Sequence, residues 1–125
     1  MPRRPAGQRG LRVRQNDPAL LILLSLAEGD KHGHALVGDI AEVAGVRLGP
    51  GTLYGAIARL EERGLIEPLA EEGRRRPYRL TREGLAALDE GLRELRRLAA
   101  AGDERLAGAS RRLAGASQLG PRWAT

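Results

Sequence analysis

The chain has 125 residues, room for one small domain and one extra helix, which excludes a large multidomain enzyme. It has no cysteine, so disulfides, thiolate metal sites and thiol catalysis are excluded together. Aromatics are 2% of residues with no Phe, which leaves Leu, Ile, Val and Ala to build the core. The net charge of +5 is unevenly spread: +4 over residues 1–17, −1 over 18–80 and +2 over 81–125, so any anion-binding surface is a local cluster on a near-neutral body.

Residues 1–16, rich in Pro, Gly and Arg, can bury almost nothing and read as a disordered basic arm. The run 19–27, ALLILLSLA, imitates a secretory signal after its Arg-rich flank. It is far short of the roughly 20 residues that span a bilayer. Asp17-Pro18 before it supplies an N-cap and a first-turn proline, so 19–27 reads as a short helix buried on most sides and closed near Gly29. A second helix fits 33–44, where Leu36, Ile40 and Val43 recur at i, i+4, i+7 and Gly45 offers a stop. After a turn at 46–49, a third helix starts at Gly49-Pro50 and ends at Gly64, with a buried stripe of Leu53, Ala56, Ile57 and Leu60.

Residues 65–70 and 78–80 alternate apolar and polar around Glu71-Glu72-Gly73-Arg74-Arg75-Arg76-Pro77, a β-hairpin with a charged tip. Thr81 caps a long fourth helix. On it Leu85, Leu88, Leu92 and Leu95 step by three and four, and the register continues through Ala99, Gly102, Leu106, Ala109, Leu113 and Ala116. This is a heptad seam, the pattern of a helix that packs on a partner helix, with nothing else in so short a chain to cover it. Gly102-Asp103 is a place where the helix can break. The hexad RLAGAS at 105–110 and again at 112–117 keeps the heptad phase or is low-complexity drift. Gly120-Pro121 ends any helix, and Trp123 falls in a tail.

The fold expected is mainly α: a winged helix-turn-helix of three helices with a two-stranded hairpin wing, plus a long C-terminal dimerisation helix. The segments are an arm at 1–16, the winged domain at 17–81, the dimerisation helix at 82–117 and a tail at 118–125. The run GPGTLYGAIARLEERGLI at 49–66, the leucine-rich stretch ending in His32-Gly33, and the wing exit Tyr78-Arg79-Leu80-Thr81-Arg82-Glu83-Gly84 together resemble the PadR family of transcriptional regulators. Gly49 stands where the family commonly has Ser, and His34 where it commonly has Tyr. The resemblance implies a cytoplasmic homodimeric repressor on a pseudo-palindromic operator, in some members released by a small molecule near the dimer interface. With three aromatics in the chain, such a pocket is expected to be aliphatic or absent.

With Leu53 buried, Gly51, Gly55, Ala58, Arg59 and Glu62 lie on the opposite face of the third helix. Gly51 and Gly55 permit close approach to a groove, and Thr52 and Tyr54 offer hydroxyls to phosphates or base edges. Arg59 either contacts DNA or pairs with Glu61 or Glu62. Arg74, Arg75 and Arg76 suit backbone phosphates beside that helix, with Glu71 and Glu72 offsetting part of their charge. Leu85, Leu88, Leu92 and Leu95 are assigned to dimerisation. Projected on a helix, His32 and His34 point about 200° apart, which argues against a metal site. No cofactor, catalytic triad or phosphate-binding loop is indicated. The rival reading is a winged-helix module for protein–protein contact without DNA, to which the −1 charge of 18–80 lends weight.

Overall fold

The computed structural model describes residues 17–119, with side chains to 116; the basic arm and Trp123 lie outside the described residues. The elements run α1 (Pro18–Glu28), β1 (Lys31–His32), α2 (Gly33–Ala44), α3 (Pro50–Glu62), β2 (Ile66–Pro68), β3 (Pro77–Leu80) and α4 (Arg82–Leu119). This is the mainly helical winged architecture expected. α1 starts as its sequence dictates: Asp17 accepts the Ala19 N–H at 3.0 Å and Pro18 takes the first helical position. Its Leu20, Leu21, Ile22, Leu23 and Leu26 are buried, so it forms the centre of the core. α2 adds Leu36 and Ile40, and α3 adds Leu53, Ala56, Ile57 and Leu60. Leu48 of the intervening turn, Leu65, Ile66, Tyr78 and Leu88 complete the cluster.

The structure extends one expectation, settles one question the sequence left open and corrects two others. The two-stranded wing β2–β3 is present and gains a third strand, in the order β1-β3-β2, because Lys31 and His32 pair antiparallel with Tyr78 and Pro77. Val43 is 62% exposed despite its place in the α2 stripe, since periodicity cannot show where neighbouring elements end. α4 passes unbroken through Gly102. One glycine costs about 1 kcal/mol in a helix, and Ala99-Ala100-Ala101 and Glu104-Arg105-Leu106 on either side outweigh it. Finally, the α4 seam is not wholly uncovered: Leu88 is buried in the chain's own core, and Leu92 and Leu95 pack partly against it.

The wing joins α4 through one tight junction. The Thr81 hydroxyl donates to the Gly64 carbonyl at 2.7 Å and accepts the Gly84 N–H at 3.0 Å, while the Thr81 N–H donates to the Leu65 carbonyl at 3.2 Å. A methyl group on Gly84 would overlap the Leu65 carbonyl oxygen, so only glycine lets α4 begin here. No helix among the described residues is long and apolar enough to cross a membrane.

Candidate nucleic-acid interface

α3 turns its stripe of Leu53, Ala56, Ile57 and Leu60 inward, which exposes Gly51, Thr52, Tyr54, Ala58, Arg59 and Glu62. Its N-cap, Gly49, makes no side-chain cap bond. The first turn therefore presents backbone N–H groups, two small residues and the Thr52 hydroxyl to the outside. Tyr54 is 52% exposed and lies against the start of α2, where a methyl on Gly33 would come within 2.5 Å of its hydroxyl. Arg59 forms no ion pair among the described residues; its guanidinium folds back over Gly55, so pairing with Glu61 or Glu62 is not formed.

The wing tip is a fixed turn. Glu72 and Arg75 exchange backbone hydrogen bonds of 2.7 and 3.1 Å around Gly73-Arg74. Gly73 has φ 64° and no other residue type among those described has positive φ, the signature of a type II′ hairpin turn. The three arginines thereby diverge. Arg76 is turned back onto the wing, donating to the Leu69 carbonyl at 2.8 Å and pairing with Glu71 at 2.9 Å. Arg75 points across to His32, with Nη1 3.4 Å from Nε2. Arg74 has no ion pair among the described residues. At the base, Glu67 and Arg79 face each other across β2 and β3 and pair at 2.7 Å.

These parts converge. A notch of about 250 Å³ is lined by His32, Gly33 and His34 at the start of α2, Tyr54 of α3, Arg74, Arg75 and Arg76 of the wing, and Tyr78 of β3. It carries no carboxylate in its lining. Burial, reinforced by Glu61 and Tyr54, holds the Tyr78 phenol above its usual range, so it remains a neutral hydroxyl. Beside the notch an open groove of about 540 Å³ separates α2 from α3, with Val37, Leu48 and Leu53 in its lining and His34, Arg47 and Tyr54 as its polar side chains.

Sequence reasoning missed the part of His32. It projected both histidines onto one helix, but His32 is the extended N-cap of α2, its Nδ1 accepting the Ala35 N–H at 3.3 Å. The rings consequently lie near-parallel with centroids 6.4 Å apart. Arg47 and Tyr78 were missed as neighbours of the site because they come from a turn and a strand whose positions only the fold reveals.

Residues 22–90 match the transcriptional regulator PadR-like family. A transcriptional regulator of Mycobacterium tuberculosis is 43% identical over 83 residues, covering 64% of this chain and 77% of that protein. An uncharacterized 37.1 kDa protein of a Streptomyces fradiae transposon is 48% identical over 86 residues, or 69% of this chain; the match spans only 25% of that protein. Among solved structures, a PadR family transcription regulator from Clostridium difficile superposes with a TM-score of 0.65 at 26% identity, covering 71% of this chain and 97% of the other. The family match covers more than half of the chain and coincides with the winged fold and its exposed third helix: this protein belongs to the PadR-like family of transcriptional regulators.

Proposed function

We propose that this protein is a cytoplasmic, homodimeric repressor that binds a pseudo-palindromic DNA operator, with α3 in the major groove and the wing on the adjacent backbone. The observation that carries the reading is the convergence of Tyr54 and the wing arginines on one acid-free notch beside the bare first turn of α3. Gly51, Thr52, Gly55 and Arg59 form the groove-facing surface, and Arg74 and Arg75 hold phosphates. Arg76 serves the wing's shape more than its charge. A small-molecule effector, where one acts, would meet aliphatic walls such as those of the α2–α3 groove.

The test is a salt titration of binding to random-sequence and selected duplexes. The parent is expected to bind both, tighter to the selected one. Arg74→Ala and Arg75→Ala should each flatten the slope of log affinity against log salt by about 0.9 per protomer on both duplexes. Absence of duplex binding at low salt overturns the reading and favours the protein–protein alternative.

A further inference from the structure

At the mouth of the notch His32 Nε2 and Arg75 Nη1 face each other. His32 Nδ1 accepts the Ala35 N–H and so caps α2. A neutral imidazole has one acceptor and one donor nitrogen, so accepting at Nδ1 puts the proton on Nε2. Arg75 Nη1 stands 3.4 Å from that Nε2, and a guanidinium has no acceptor. Neither group satisfies the other. Their shared open side faces the notch that also holds His34, Tyr54, Arg74 and Tyr78. Neither acid of the wing tip lines the notch: Glu71 is paired with Arg76, and Glu72 is not among the lining residues.

We propose, resting on the DNA-binding reading above, that this notch seats one phosphodiester of the DNA backbone, an oxygen of which accepts from His32 Nε2–H and Arg75 Nη1–H together. Two nitrogens 3.4 Å apart can both reach one oxygen at about 2.8 Å, the usual charge-assisted length. The two donors differ in kind. Arg75 brings a charge and displaces a counterion, whereas neutral His32 brings only direction. His32 therefore fixes where the phosphate sits, through a nitrogen whose proton is placed by the helix cap. This couples the first turn of α2 to the wing across the DNA strand. The proposal concerns the backbone, so it adds affinity and register without sequence choice.

The experiment uses the full chain and side-chain nitrogen NMR of the histidines, which reads the tautomer directly. In the free protein His32 is expected as the Nε2–H tautomer, and random-sequence duplex should shift its Nε2 signal. His32→Asn retains a strong N-cap while removing the ring donor. It should weaken duplex binding roughly 5- to 20-fold with an unchanged salt slope, whereas Arg75→Ala lowers affinity and flattens the slope by about 0.9. An Nδ1–H tautomer, an unmoved Nε2 signal in a duplex-bound protein, or parental affinity in His32→Asn overturns the seat while DNA binding stands. A His32 shift with millimolar inorganic phosphate but not with duplex overturns it in favour of a small phosphate ligand. A parent that binds no duplex removes the DNA reading and this seat with it. The tautomer and shift measurements on the parent hold even where the variant fails to fold.

Discussion

One methyl group has opposite consequences at two glycines of α4. At Gly84 it would run into the Leu65 carbonyl oxygen and crowd Leu80, and the carbonyl is backbone already held by the Thr81 N–H. The wing cannot yield without breaking that junction, so Gly84→Ala is expected to remove roughly 3 kcal/mol or more of unfolding free energy. Gly102 is exposed, sits inside the same helix and meets nothing within 4 Å. Gly102→Ala should therefore add about 0.5–1 kcal/mol by lowering backbone entropy in the unfolded chain. Urea denaturation followed by circular dichroism checks both signs, and equal effects would refute the packing argument. Site residues were legible unevenly for the same reason. Thr52 and Tyr54 follow from helical phase once Leu53 is placed inside. The fates of Arg74, Arg75 and Arg76 do not, because three identical side chains in a row take their separate partners from a turn geometry that only Gly73 hints at.

Among elements, the junction of α1, β1 and α2 rests on one polar cluster beside the apolar core. The Ser25 hydroxyl, in a residue only 3% exposed, donates to Asp39 Oδ2 at 2.5 Å. Lys31 Nζ donates to the Ser25 carbonyl at 2.5 Å, lies 3.9 Å from Asp39 and pairs with the exposed Glu28 at 3.2 Å. Asp39→Ala leaves a buried hydroxyl without its acceptor and takes from Lys31 the more distant of its two carboxylates, an expected loss of about 1–3 kcal/mol. Asp39→Asn keeps the acceptor and should cost less, and Glu28→Ala should cost under about 0.5 kcal/mol, as exposed pairs do. Chemical denaturation of the three variants tests that order; an Asp39→Ala protein as stable as the parent removes the cluster from the account. This junction also marks where sequence reading stopped. The helices were legible because caps and apolar periods agree over ten or more residues, and the wing because alternation flanks a glycine turn. β1 has two residues, too few for any period, and exists only because Tyr78 and Pro77 come alongside.

At the scale of the whole molecule, α4 carries the expected dimer contact. Its 38 residues extend about 57 Å, and only the part up to Leu95 lies on the winged domain. Beyond it Leu106 and Leu113 are 66% and 70% exposed, in heptad register with Leu85 at 56% and with half-buried Leu92. Tertiary packing of an apolar face is what ordinarily stabilises a helix in water. This half has none from its own chain among the described residues, so the stabilising face is expected from a second copy. Each leucine so covered contributes about 1.5–3 kcal/mol. The decisive substitution is accordingly not at Leu92, which the core partly holds, but Leu106→Asp with Leu113→Asp. In a monomer both carboxylates sit in water and the winged domain melts as before. In a dimer two charges per protomer enter the seam, at a cost of several kcal/mol where they are buried unpaired. Light scattering at micromolar concentration should give a dimeric mass for the parent and a monomeric one for the double variant. Duplex affinity should fall with the mass, because a monomer places one recognition helix where a pseudo-palindrome needs two. A parent of monomeric mass refutes the seam, and a double variant that stays dimeric moves the interface to the other faces of α4.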